Sequence, residues 1–391
     1  MAGAFWTSDF EFERGRVKVR TTGADIALNS ALVADTLTWL TYYAPVRLKG
    51  LLAAAGRNRP TVWFAPQRPR PWYLIWLAAC WSGVRFARSP AERDVMMDSI
   101  APVWDGNETW LVLGGGGLLA AFPLAYGILA PAFYLPLILM LLALILRGVA
   151  FEFRLHGRKR GKAFWTFAFS AGSLGATIAQ GFVLGGFIQG VTVADGRFAG
   201  QPFDWLTPYT LLVAAGLVAG YALLGGCWLM WKTQDQLHGD ARRWSAISAA
   251  AVGVLLFAVS LATLFVHPRI ADRWGFTGEG FDMAVFLPHL PIPLLGAAGL
   301  AVVAVGLWKR SHGWPFLGGA LVFLSGYIGL AVSFFPSIVP YDIDFRTAAN
   351  ADNALGLMLW GIAILLPAIL GYTVWVYWIF RGKVSADAGY H

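Results

Sequence analysis

Between residue 111 and residue 380, long stretches without Asp, Glu, Lys or Arg alternate with short polar connections. The uncharged stretches are 111–146, 163–194, 205–231, 244–268, 283–308, 311–341 and 353–380. About 20 predominantly apolar residues span a bilayer as a helix. The first stretch is long enough for two. The residue before a proline is pushed out of helical geometry, so Ala130-Pro131 predicts a break between helices at about 110–129 and 133–150. One helix in each of the other six stretches gives eight transmembrane helices after residue 109. Lipid offers no partner for backbone N–H and C=O groups, which makes helices the expected element. The predicted fold class is an all-α polytopic membrane protein.

Loop charge supports this count. The connection after the second helix carries Arg154, Arg158, Lys159, Arg160 and Lys162, and the next carries only Arg197. Lys232, Arg242 and Arg243 follow, then Arg269 and Arg273, then Lys309 and Arg310, then Arg346, and finally Arg381 and Lys383. Alternate sides therefore total 12 and 4 Lys plus Arg. Cytoplasmic loops are the basic ones, so the 12-charge side is expected to be cytoplasmic. That side includes the C-terminal tail, 382–391, and by the same parity residues 89–109.

Composition agrees. Only 13% of the 391 residues are charged and 57% are hydrophobic, where soluble domains carry about a quarter charged residues. The 45 Gly, 20 Pro and 19 Trp suit membrane helices with aromatic interface belts. The net charge of +8 is concentrated in residues 1–88, which hold twelve Lys and Arg against five Asp and Glu. A nucleic-acid partner is therefore rejected. Cys80 and Cys227 allow one disulfide at most and form no metal-ligand spacing. Residues 1–88 have no secretory signal, because Asp9, Glu11 and Glu13 precede any apolar run. Their longest apolar stretch, 72–84, is 13 residues long, too short to span comfortably. Residues 26–52 leave room for an amphipathic soluble segment.

The chemistry candidates are few. Trp104-Asp105-Gly106-Asn107-Glu108-Thr109-Trp110 opens the first long apolar stretch. Asp105 and Glu108 are three apart and share a helix face. One reading is helix capping with Trp110 as an interface anchor. The other is a proton-conducting carboxylate at the membrane edge, since intramembrane acids are costly and mark function. Gly114, Gly115, Gly116 and Gly117 predict close approach of a neighbouring helix. A phosphate loop is excluded, because no lysine follows them and no strand precedes them. Arg147, Glu152 and Arg154 read as snorkelling charges with an ion pair across a helix end, or as contacts to a partner or a lipid headgroup. His267 and His289 lie at a helix end and in proline-rich irregular backbone, and neither has the companion ligand a haem needs. Pro288, Pro291 and Pro293 predict a broken helix start. Gln180 and Gln189 are expected to form interhelical hydrogen bonds.

Residues 89–154 contain WDGNETW, GGGGLLAAFPLAY and RGVAFEFR in that order, and they resemble subunit II of cytochrome bd-type quinol oxidases. The likeness continues, more weakly, to about residue 381. It implies nine transmembrane helices, as two four-helix-bundle repeats plus one, in the bacterial inner membrane. It implies a haem-bearing subunit I as partner, with haem b, haem d and quinol oxidation located there, and no catalytic residue, metal or cofactor held by this chain alone. Dioxygen would be reduced to water with protons from the cytoplasm, generating a proton-motive force. Asp105 occupies the family's aspartate associated with a proton path, and Glu108 is a second candidate. The family's first helix is absent here or replaced by 72–84. A reading-frame or start-site error in the gene would produce so abrupt a change at residue 88; a genuine N-terminal extension is the alternative. The rival readings are a secondary transporter with a broken-helix substrate site and a scaffold in which Asp105 only caps a helix.

Overall fold

The computed structural model describes residues 9–13, 16–20, 89–156, 159–278, 280–380 and 382–384. The expectations for 26–52, 72–84 and Cys80 lie outside them. So do the side chains of Asp105, Gly106, Asn107, Glu108 and Thr109, whose backbone is helical. The chain divides into two units, Met1–Pro66 and Gln67–His391. In the first, β1 (Asp9–Glu13) and β2 (Arg16–Arg20) pair antiparallel. The register sets Asp9 opposite Arg20, Glu11 opposite Lys18 and Glu13 opposite Arg16.

The second unit is helical. A short helix α1 (Pro90–Ile100) leads into α2 (Trp104–Ala121), α3 (Pro123–Ala132), α4 (Tyr134–His156) and α5 (Lys159–Gln189). Then come α6 (Pro208–Lys232), α7 (Asp235–Thr263), α8 (Pro268–Arg273) and α9 (Met283–Phe286). The chain ends with α10 (Pro291–Trp308), α11 (Trp314–Phe334), α12 (Phe345–Ala348) and α13 (Asp352–Ile379). Among the described residues, seven helices are long and apolar enough to cross a membrane. The eighth expected span is the broken pair α2 and α3.

The break is not where Pro131 predicts it. Pro131 lies inside α3, and the chain breaks at Phe122, before Pro123 (φ −134°, ψ 64°). Both prolines bias the preceding residue away from the helix, but only at Phe122 are the freed carbonyls given new donors. The Asn350 backbone N–H donates to Ala121 O and its Nδ2 to Ala120 O, each at 2.9 Å. Backbone groups in a membrane need such partners, and a residue 230 positions from Ala120 supplies them, out of reach of local pattern reading. The broken start at Pro288–Pro293 is present as α9, a 3₁₀ turn Leu287–His289, and α10.

Helices α6, α7, α10 and α11 close into a ring: α6 packs on α7, α7 on α10, α10 on α11, and α11 on α6. This is one of the two expected four-helix bundles. On the other side α4 packs on α5, α5 joins the ring through α6, and α2 packs with α3 and α13. Among the described residues this half has three spans besides α13. The expected hydrogen bonds join helices: Tyr221 Oη donates to Gln180 Oε1 at 2.9 Å, and Thr207 Oγ1 to Gln189 Oε1 at 2.7 Å.

The two ends of the bundle carry the loop sets that charge alternation separates. At the basic end Lys232 Nζ donates to Phe380 O (2.7 Å) and Arg242 Nε to Leu307 O (2.6 Å). At the other end lie three small hairpins, Val193–Ala194 with Arg197–Phe198, Phe276–Thr277 with Gly280–Phe281, and Ser337–Val339 with Ile343–Asp344. The first turns at Asp195-Gly196, both with positive φ, as an Asp-Gly hairpin turn requires.

The hairpin end is tied together around Tyr341. Its Oη donates to Ile188 O (2.6 Å), Arg269 Nη1 donates to its carbonyl (2.5 Å), and the His267 ring stacks on it at 3.7 Å. His267 Nδ1 accepts the Arg269 backbone N–H and caps α8. Burial, then the Arg269 charge, hold the His267 pKa below its ordinary value, against an opposing pull from Asp342. A histidine depressed in the folded state stabilises the neutral form, so its contribution is present above the unfolded pKa and is lost as pH falls through about 6.5. Backbone amides of residues 269–273 should therefore lose protection, relative to their intrinsic rates, on going from about pH 7.5 to 5.5. Equal protection at both pH values would contradict this cap.

Candidate functional site at the basic end

Ser89-Pro90 starts α1: Ser89 Oγ accepts the Glu92 backbone N–H at 3.1 Å and Pro90 takes the first helical position, both favoured there. One face of α1 buries Met96, Met97 and Ile100 in the main core. This brings Asp94 to the start of α5 and the end of α4. Arg154 Nη2 donates to Asp94 Oδ1 at 2.7 Å and Arg154 Nε to Thr166 Oγ1 at 2.9 Å. Thr166 passes its own proton to Lys162 O at 2.7 Å, and Lys162 Nζ lies 3.6 Å from Asp94 Oδ2. The Arg154 side chain is only 4% exposed and that of Asp94 42%.

This corrects the reading of Arg147, Glu152 and Arg154. Residues two apart on a helix do not share a face. Glu152 faces outward, Arg154 is buried against α1 and α5, and Arg154 takes Asp94 as its acid. Arg147 does not snorkel; it is 1% exposed, where Gly172 of α5 comes so close that a Cβ there would fall 3.0 Å from the Arg147 backbone nitrogen. Asp94 was missed. The Ser-Pro-x-Glu signature at 89–92 was the signal, since it announces a helix start.

The first turn of α2 sits on the same platform. Trp104 packs on Phe151 with ring centroids 5.0 Å apart, and Phe151 on Phe169 at 6.1 Å. The Trp104 ring covers Gly148, where a Cβ would meet it at 3.6 Å. Asp105 follows Trp104 directly and Glu108 comes one helical turn later, on the helix whose first residue covers Gly148 at the basic end. Asp105 is not the cap. The helix begins at Trp104 with Val103 in the cap position and no side-chain cap bond.

The glycines behave unlike the expectation too. Cβ atoms at Gly114, Gly115 and Gly116 would meet nothing within 4 Å, and at Gly117 only Met358 at 3.9 Å. Among the described residues no helix makes that close approach at Gly114–Gly116. It is made elsewhere, by Gly299 and Gly318, where each added Cβ would meet the other's carbonyl at 2.8 and 2.6 Å.

His267 is stacked flat on Tyr341 with Nδ1 engaged, and His289 Nδ1 donates to Val285 O at 2.8 Å beside Trp274.

The model of the family "Cytochrome bd terminal oxidase subunit II" matches residues 75–380. The chain belongs to this family. As a member of it, the protein is 26% identical over 330 residues to cytochrome bd-I ubiquinol oxidase subunit 2 of Escherichia coli (strain K12), covering 77% of this chain and 87% of that one. It is 28% identical over 305 residues to cytochrome bd ubiquinol oxidase subunit 2 of Bacillus subtilis (strain 168), covering 75% and 86%. Its fold matches a chain of the bd oxidase from Geobacillus thermodenitrificans with TM-score 0.61 at 17% identity, over 80% of this subunit II and 95% of that chain. The family match begins inside the apolar stretch 72–84, fourteen residues before Ser89. The protein is thus a multi-pass membrane subunit, and the transporter reading falls away.

Proposed function

We propose that this subunit II serves a quinol:dioxygen oxidoreductase in which a haem-bearing subunit I holds haem b and haem d and oxidises quinol. This chain supports assembly of that partner and supplies a proton entry at Asp105. Its basic end and C-terminus face the cytoplasm, as the charge alternation requires. The partner's helix packs on the open face at Gly114–Gly116, beside exposed Leu111, Val112 and Leu113. The carrying observation is the position of the Asp105 turn. It stands at the basic end, where Trp104 stacks on Phe151 and covers Gly148, the residue after buried Arg147. A carboxylate there is at the wet edge of the membrane with a fixed cation segment alongside, which is what a group that takes and passes on protons needs.

The test is Asp105→Asn in the assembled complex. The residue is at the second helical position, so the amide forfeits only a charge–dipole term of about 0.5 kcal/mol, and the haem spectrum should be unchanged. Turnover and coupled proton uptake should fall by about tenfold or more. Wild-type turnover with normal uptake would refute the proton role.

A further inference from the structure

We propose that His238, His312 and Lys383 form a binding site for the phosphate of an anionic phospholipid headgroup at the basic end. The three come from separate segments: α7, the turn between α10 and α11, and the chain after α13. Each segment is fixed by backbone contacts. His238 Nδ1–H donates to Met230 O at 2.9 Å, which leaves Nε2 as its free ring nitrogen. Ser311 N donates to Gly306 O at 2.8 Å and tightens the turn that carries His312. Val384 N donates to Lys232 O at 2.9 Å and brings the residue before it, Lys383, onto the bundle.

The two imidazole rings lie 4.6 Å apart. Burial, then Lys383, then His238 push the His312 pKa below its usual value. Both charges acting on it have the sign of its own protonated form, and an anion between them is the partner that relieves this. Lys309 and Arg310 are exposed cations on the same turn, three and two residues before His312, and Asp235 and Asp240 flank His238. The ligand is a lipid rather than a free oxyanion because of what flanks the site. Trp308 and Trp314 stand on either side of the His312 turn, 77% and 60% exposed. Outward-facing Trp at the ends of spanning helices marks headgroup depth, and cations there attract anionic lipid.

The experiment uses the complex purified in mild detergent with its partner, and reads bound lipid by native mass spectrometry after incubation with phosphatidylglycerol or phosphatidylcholine. The wild type should retain phosphatidylglycerol in preference to phosphatidylcholine. His312→Gln/Lys383→Gln should lower retained phosphatidylglycerol by about tenfold, leaving phosphatidylcholine unchanged. Arg197→Gln/Arg346→Gln, which removes two exposed cations at the hairpin end, should lower neither. All four side chains are exposed, so the variants should assemble. Lys383→Glu is a second route, with repulsion replacing attraction. Equal retention by all variants overturns the proposal. So does displacement of the lipid by millimolar inorganic phosphate with equal phosphate binding in lipid-free micelles, which would make the site one for a free oxyanion. Neither outcome bears on turnover or on Asp105.

Discussion

Gly318→Leu should remove the protein from the membrane as a folded species. A Cβ at this position would fall 2.6 Å from Gly299 O and 2.7 Å from Val303 N. Both obstacles are backbone, so no side chain can swing away, and α10 and α11 must part. Parting them also opens α11 against α6, where Phe316 packs on Trp228 with ring centroids 6.0 Å apart. Overpacking of this kind costs about 3 kcal/mol or more, a large share of the roughly 5–15 kcal/mol that keeps a domain folded. Gly115→Leu is the contrast. It meets open space among the described residues and improves helix propensity by up to about 1 kcal/mol, so the subunit should fold. If the partner's helix packs on that face, the leucine should prevent co-purification of haem. Size-exclusion profiles of the two variants, with absorbance of the co-purified partner, separate the cases. A monodisperse Gly318→Leu complex would contradict the packing argument.

Asp94→Asn should loosen the basic end more than any other single polar change there. Arg154 is almost fully buried and its guanidinium has Asp94 as its ion-pair partner, with Lys162 beyond. Breaking a fully buried pair costs about 3–5 kcal/mol. Asp94 is partly exposed and water can replace part of its charge, so about 2 kcal/mol is expected. The loss should appear as a lower thermal midpoint of the complex and as faster proteolysis within 89–103. Asp94→Leu combined with Arg154→Met replaces both charges by apolar groups and should recover most of the midpoint, as buried pairs elsewhere do. Failure of the double variant to recover would show that Arg154 is needed for its bond to Thr166 instead.

The spans were legible because their signal is local. Twenty apolar residues, a basic connection and an unfavourable lipid environment for free backbone suffice to place α4 to α7, α10, α11 and α13. The break in α2–α3 was not, because Pro123 and Pro131 look alike in the chain and differ only in whether Asn350 stands nearby. The site was half legible. The WDGNETW block announced itself by acids at the edge of an apolar run. The Arg154–Asp94 bond joins residues 60 apart, and Glu152, the acid nearest in sequence, points the wrong way. Close helix contacts escaped for a related reason. A run of four glycines draws the eye, while the contact is made by single glycines on different helices whose facing register no linear pattern encodes.

The closed ring of α6, α7, α10 and α11 has a consequence for biogenesis. The ribosome delivers α2 to α5 first, although α13, which packs on α2, is made last, and it delivers in between the ring that can seal its own interior. The earlier half must wait at the insertion machinery with an unfinished side, while the later one can lock as soon as α11 leaves the exit tunnel. Assembly should therefore run against the direction of synthesis, with residues 208–334 becoming protease-resistant before residues 104–189. The waiting time of the first half is the interval in which a second polypeptide can be captured.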